Sequence, residues 1–149
     1  MQRFGNLLCL TLVGLVAAPV AAVAQSNVEV ARSWGLLGTW RLDCAKPKSR
    51  ANPDLKYVMH DGKLFHDRDF GDDADSQPII VATRRPDDAL ELVVQFGGFH
   101  QTRQFIFVHG RSDSLRAIYN RDVDSGELSI RDGKFTGSGE PTPWQYRCN

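Results

Sequence analysis

One predicted hairpin carries three residues whose types and spacing suit the binding of a small molecule: Tyr57, His66 and Arg68. The turn Asp61-Gly62 predicts a hairpin in which Tyr57 lies opposite His66, with Arg68 two positions further along the same face. Because buried polar groups must find partners, these side chains form an internal network or bind a ligand if that face is the interior. If the hairpin extends past the rim of the fold, they meet water instead. The sequence leaves both interpretations open.

A second hairpin, around Gly97-Gly98, adds Arg103 to the candidate ligand contacts. Its turn consists of the two glycines alone or of a longer loop that includes Phe99. With a two-residue turn, the inner face is strongly apolar and is interrupted by Gln101 and Arg103. An arginine in such a position holds an anionic head group while aromatic side chains enclose an apolar tail. The alternative is that its stem packs inside and its head reaches solvent.

The sequence gives little support for catalysis or metal binding. It has no Gly-x-Ser-x-Gly elbow, phosphate-binding glycine loop or His-Glu-x-x-His segment, although a triad assembled from distant positions leaves no such motif. The acidic stretch 71–77 lacks the glycine and terminal glutamate of an EF-hand. All four histidines lie on or beside predicted hairpins, as strand-end polar residues do: His60, His66, His100 and His109. We therefore predict no enzymatic activity, no cofactor and no metal.

The elements that must position these side chains are β-strands. From Leu37 onward apolar and polar residues alternate, and turn dipeptides such as Ser125-Gly126 separate the short runs. This pattern predicts an antiparallel up-and-down meander of eight or nine strands, which closure into a small all-β barrel would leave without free edges. The predicted strands are 37–44, 55–60, 63–70, 78–84, 89–96, 100–109, 114–122, 127–131 with a continuation at 134–136, and 144–148. Segments 45–54 and 71–77 are predicted loops, and 26–33 a short helical turn capped by Ser26 or Asn27.

The N-terminus is typical of a secretory signal peptide. Met1-Gln2-Arg3 is positively charged, residues 7–23 are almost continuously apolar, and Ala22-Val23-Ala24 fits a small-x-small cleavage site. Cleavage near Ala24 would leave a single periplasmic or secreted domain, 25–149. A membrane anchor is the competing interpretation, but the apolar run is short and a polar chain without a second apolar span follows it.

Cys44 and Cys148 are the two cysteines that remain once Cys9 is lost with the leader. An even count in an oxidising compartment favours a disulfide over two free thiols, and no histidine at ligand spacing supports a metal site. The bridge would close a loop of about 105 residues, for which the chain-entropy relation gives roughly 4.7 kcal/mol of stabilisation. We therefore predict that it fastens the first strand to the last.

Strand alternation also predicts which side chains face inward where the first and last strands meet, a junction that we call the seam. If the first and last strands are neighbours, the bridge faces the core, and Asp43 and Arg147 pair on the outer face. The residues predicted to face the interior at the seam are Trp40, Leu42, Cys44, Trp144, Tyr146 and Cys148.

The segment SWGLLGTWRL, residues 33–42, resembles the start of the first strand in lipocalins, which carries Gly-x-Trp just after a short helical turn; here this is Gly38-Thr39-Trp40. The resemblance implies an up-and-down barrel with one apolar cavity. It also implies a tryptophan at the closed end, often beneath a cationic side chain from near the last strand. Arg147 is the candidate for that role, although its predicted parity points away from Trp40. We count Trp40 among the candidate ligand contacts.

The composition and the overall plan of the chain limit the classes of partner that we expect. The chain has 18 basic and 18 acidic residues, and a near-neutral charge gives no electrostatic case for nucleic acid or an anionic membrane. A leader followed by GTWRLDC and a chain ending in PTPWQYRC also resembles small exported proteins of Gram-negative bacteria, which implies a periplasmic location and no particular activity. The leading hypothesis is a barrel that binds a small, partly apolar or amphipathic ligand in its lumen. The alternative is a solid barrel that binds an envelope protein or inhibits an enzyme, through an exposed apolar patch near loop 45–54.

Overall fold

The alternating segments form one continuous antiparallel sheet. The computed structural model describes residues 25–148, so the predicted leader and its cleavage site lie outside the described residues. The helix and strands are α1 (Asn27–Trp34), β1 (Gly38–Arg41), β2 (Asp54–His60), β3 (Lys63–Asp69), β4 (Ala74–Arg84), β5 (Leu90–Phe96), β6 (Gln101–His109), β7 (Ser114–Asp122), β8 (Leu128–Arg131), β9 (Lys134–Phe135) and β10 (Gln145–Cys148).

Strand β10 closes the sheet into a barrel. It pairs with β1 on one side and with the start of β7 on the other, so that β1 to β7 and β10 form a closed ring of eight strands. Strands β8 and β9 continue from the far end of β7 as two additional strands. The predicted all-β antiparallel barrel is confirmed, and closure leaves no free edge within the ring of eight strands.

The predicted disulfide is present at this seam. Cys44 and Cys148 are bonded, with their Cα atoms 5.5 Å apart, and β1 pairs with β10 as the bridge requires. The bridge does not face the core, because Cys44 is exposed and Cys148 half-buried. Strand β1 ends at Arg41 and a bend follows at Leu42, so the alternation that places Trp40 inside does not continue to Cys44.

The predicted facing of the last strand is also wrong. Arg147 lies directly opposite Trp40 in the register, whereas Tyr146 lies opposite Arg41 and is 42% exposed. Arg147 therefore shares the inner face with Trp40. The expected pair between Asp43 and Arg147 is replaced by two others, Asp43 with Lys46 and Arg147 with Asp113.

Helix α1 covers one end of the barrel. It begins with a capping box between Ser26 and Glu29, which confirms the predicted cap, and ends at Gly35 in the left-handed conformation at φ 85°. Its apolar residues, Trp34 included, are buried against the core. Trp34 donates from Nε1 to the carbonyl of Asp88, 2.7 Å away, and stacks on His109. The helix therefore spans the end that carries the β4–β5 and β6–β7 connections.

The acidic stretch 71–77 is a loop only in part. Strand β4 begins at Ala74, four residues earlier than predicted, because Asp75 and Ser76 pair with Arg68 and Asp67 in the β3 ladder. Segment 45–54 is irregular up to the start of β2 at Asp54, as predicted. Within residues 25–148, no helix has the length and apolar character to span a membrane.

Candidate functional site

A cavity of about 280 Å³ lies at the barrel end opposite α1. In an antiparallel meander alternate connections lie at opposite ends, so the β3–β4 and β5–β6 connections meet at this second end. We call this space the mouth cavity. Its lining residues are Arg68, Phe96, Phe99, Gln101, Arg103 and Phe105.

Aromatic side chains form the apolar wall of the mouth cavity. The ring centroids of Phe96 and Phe105 are 6.3 Å apart, and Phe105 stacks on Phe107 at 5.8 Å. Phe99 belongs to a connection of four residues, 97–100, and is 64% exposed. The longer connection pairs Phe96 with Gln101 instead of Phe99. A shift of two residues preserves side-chain parity, so the predicted apolar face remains intact.

Arg68 enters the mouth cavity with its charge already paired. It forms a two-pronged ion pair with Asp75, in which Nε lies 2.8 Å from one carboxylate oxygen and Nη2 contacts the other. The hydrogen bonds from Arg68 hold the pKa of Asp75 below its usual value, despite partial burial. The Arg68 guanidinium also lies over the Phe96 ring, 4.8 Å from its centroid. Arg68 is therefore a fixed and neutralised part of the wall.

Arg103 is held by neutral oxygens instead. Its Nε donates to Asn120 Oδ1 at 2.6 Å, its Nη2 to Ser129 Oγ at 2.8 Å, and its Nη1 to Gln101 Oε1 at 3.4 Å. Ser129 in turn donates to Asn120. No carboxylate of residues 25–148 forms an ion pair with Arg103. Its positive charge is therefore not directly neutralised.

Asp122 is the carboxylate nearest to Arg103 in the strand register. Its Oδ1 accepts hydrogen bonds from the backbone and hydroxyl of Ser125 and from the backbone of Asp124. These bonds, with a smaller contribution from the Arg103 charge, hold the pKa of Asp122 below its usual value. Asp122 therefore fixes the turn that follows β7.

Tyr57 and His66 form a buried pair beside Arg68. Their rings stack with centroids 4.7 Å apart, and Tyr57 meets Phe107 edge-on at 6.2 Å. Both are almost completely buried, and Nδ1 of His66 has no hydrogen-bond partner. Neither residue lines the mouth cavity, and neither reaches the bulk water that one sequence interpretation offered them.

Burial dominates the titration of this pair. It lowers the pKa of His66 to about 3, reinforced by the positive charge of Arg68, while Asp75 and Asp67 oppose the shift more weakly. Burial likewise raises the pKa of Tyr57 above its usual value, with Arg68 opposing. At neutral pH both rings are therefore uncharged.

The neutral His66 predicts a pH dependence of stability. The unfolded chain binds a proton at the ordinary histidine pKa of about 6.5, whereas folded His66 does not until about pH 3. Stability is therefore full above about pH 6.5 and falls as the pH drops. Between pH 7 and pH 5 we expect the free energy of unfolding to decrease by about 2 kcal/mol from this group. Urea denaturation at both pH values measures it.

The variant His66→Phe, which keeps an aromatic ring against Tyr57, should remove this decrease. His60→Gln is the matched control, because His60 is half-exposed in a surface pair with Asp67. Carboxylates with lowered pKa values lose their stabilisation only below about pH 4.5, so they do not interfere. Equal slopes for His66→Phe and the unmodified protein would contradict the prediction.

Trp40 lies outside the mouth cavity, in the core. It is completely buried and donates from Nε1 to the carbonyl of Leu36 at 2.8 Å. The guanidinium of Arg147 lies over its ring, 4.3 Å from the centroid, and donates to the carbonyls of Leu37 and Gly35. A Cβ atom on Gly38 would come within 2.4 Å of Arg147 Nη1. The cation over the tryptophan, which strand parity argued against, is therefore present.

The site combines residues that the sequence indicated with others that it did not. Arg68 and Arg103 meet in one cavity, as the predicted inner faces required. Asn120 and Ser129 were missed; the signals were a polar Asn near the end of the predicted strand 114–122 and a Ser within the predicted strand 127–131. In the part of the chain that the structure describes, no three His, Cys, Asp or Glu side chains are grouped to hold a metal ion.

Comparison with known proteins adds no relative. No protein-family model, no curated protein and no solved structure matches this chain.

Proposed function

We propose that this protein is an exported, lipocalin-like barrel that binds a small, partly apolar ligand in the mouth cavity. The observation that carries the proposal is the mouth cavity itself, in which three phenylalanines and two arginines converge at the end of the barrel that α1 does not cover. Small-molecule sites have this composition, a mostly apolar wall with a few fixed polar groups. A volume of about 280 Å³ suits a ligand of modest size.

Export to the periplasm or beyond is the second part of the proposal. The leader-like N-terminus and the disulfide both support it, since such bonds persist in oxidising compartments. Cys44 is exposed, so a reducing cytoplasm would have access to the bond.

Binding is favoured over catalysis by the hydrogen bonds of the polar groups. Among residues 25–148, no serine or threonine hydroxyl donates to a histidine, the contact that activates such a nucleophile. His109 bonds to the Trp34 carbonyl and His60 to Asp67. These two histidines therefore serve structural contacts.

Native mass spectrometry on freshly purified protein tests the proposal, followed by calorimetric titration with octanoate and 1-octanol. Copurified small molecules, or saturable binding of either probe, support it. A protein that copurifies at fixed stoichiometry while neither probe binds would overturn it in favour of a partner-binding barrel.

Phe99→Ala locates the binding. Phe99 is exposed and lines the mouth cavity, so its truncation should weaken probe binding severalfold with little loss of stability. Met59→Ala is the matched control, because Met59 is 51% exposed and lies near the turn at the other end of the barrel. Equal binding by both variants would place the ligand elsewhere.

A further inference from the structure

We infer that the ligand carries a single negative charge and that Arg103, rather than Arg68, holds it. This inference rests on the proposed function and deepens it, because it assigns the charge of the ligand and the residue that selects it. Two arginines line the mouth cavity, and their partners distinguish them.

The positive charge of Arg68 is already compensated by Asp75. Asp75 occupies the Nε–Nη2 edge of the guanidinium, where a bound carboxylate would otherwise form two parallel hydrogen bonds. Its face is used as well, since it lies over the rings of Phe96 and Phe70. A ligand carboxylate would have to displace Asp75 and leave that carboxylate without its cation. The ion pair of Arg68 and Asp75 therefore forms part of the cavity wall and does not bind the ligand's charge.

Arg103 is both charged and oriented. Asn120 and Ser129 fix its Nε and Nη2 through short hydrogen bonds, and neither partner neutralises it. Its third contact, from Nη1 to Gln101, is long at 3.4 Å, and Gln101 is exposed at the rim. A guanidinium has five N–H donors, so an anion that displaces Gln101 gains a preorganised site at small cost.

The surrounding carboxylates limit the ligand to one charge. Asp75 is ion-paired with Arg68. Asp122 lies beside Arg103 and accepts hydrogen bonds from the turn that follows β7. A second negative charge on the ligand would find no second unpaired cation in the lining of the mouth cavity, and it would lie near the carboxylates that flank the two arginines. An unpaired charge in a partly buried site is costly. The apolar remainder of the ligand packs against the phenylalanine wall.

Three probes with the same eight-carbon alkyl chain test the charge of the ligand: octanoate carries one negative charge, 1-octanol none, and octyl phosphate two at pH 8. We expect the unmodified protein to bind octanoate at least about tenfold more tightly than the other two, the value of one charge-assisted hydrogen bond. Arg103→Gln should abolish this preference and leave 1-octanol binding unchanged. Arg84→Gln is the control, since Arg84 is a half-exposed arginine at the other end of the barrel.

Two further variants keep the inference testable if Arg103→Gln does not fold. Gln101→Glu places a carboxylate beside Nη1 of Arg103 and should weaken octanoate binding while leaving 1-octanol binding unchanged. Asp75→Asn releases Arg68 and should strengthen octyl phosphate binding. Equal affinity for octanoate and 1-octanol, unaffected by these changes, would overturn the inference and leave the proposed function intact. Failure of all three probes to bind, together with the absence of any copurified small molecule, would overturn the proposed function itself.

Discussion

Replacing Cys44 and Cys148 together by serine is expected to lower the free energy of unfolding by roughly 4–5 kcal/mol. The bond joins positions 104 residues apart, and the chain-entropy relation for a loop of this length gives about 4.7 kcal/mol. Strand β10 has only four residues, yet it pairs with both β1 and β7. The bond therefore holds in place the strand on which closure of the barrel depends.

Urea denaturation measures this loss, with reduction as the control. Because Cys44 is exposed, a reductant should lower the stability of the unmodified protein to that of the double variant. The same reductant should leave the double variant unchanged. A loss below about 1 kcal/mol would mean that strand pairing alone closes the barrel.

Trp40→Ala is expected to cost about 3–5 kcal/mol, the usual range for truncating a large buried aromatic residue. The indole is completely buried, so its removal leaves a cavity. It also leaves the Leu36 carbonyl without its hydrogen bond and the Arg147 guanidinium without the ring beneath it. Trp40→Phe keeps a ring but not the N–H donor, and should cost about 1–3 kcal/mol.

Trp144→Ala is the matched control for this prediction. Trp144 also lies beneath an arginine, Arg116, at 4.6 Å, but it is only half-buried and lies just before β10. Its truncation should cost clearly less than that of Trp40, as measured by the midpoint and slope of urea denaturation. Equal losses of unfolding free energy in the two variants would show that burial of the indole does not determine how much it contributes to stability.

The two tryptophan–arginine contacts also illustrate how far sequence reasoning reaches. Alternation correctly placed Trp40 inside, since β1 is regular through that residue. Which side of the last strand faces inward depends on its register with β1, and the register aligns Arg147 with Trp40. The bend at Leu42 then frees Cys44 from the inner face, so the disulfide forms on the outside.

The hairpins were predictable because their information is local. Asp61-Gly62 dictates a tight turn, and that turn fixed the pairing of Tyr57 with His66 as predicted. The second hairpin kept its predicted apolar face even though its connection has four residues. Period-two alternation therefore determined which side chains of these strands enter the barrel.

The partners of the charged groups were decided only by the tertiary structure. Arg68 and Arg103 look equivalent in the sequence, as single arginines on apolar strand faces. Asp75 reaches Arg68 because β4 begins early and pairs with β3, whereas Arg103 meets Asn120 on β7 and Ser129 on β8. Within a hairpin, side-chain parity is a local property, set by the residues of its two strands and by its turn. The neutralisation of a charge depends on which distant strands lie beside it, and that follows from how the whole sheet closes.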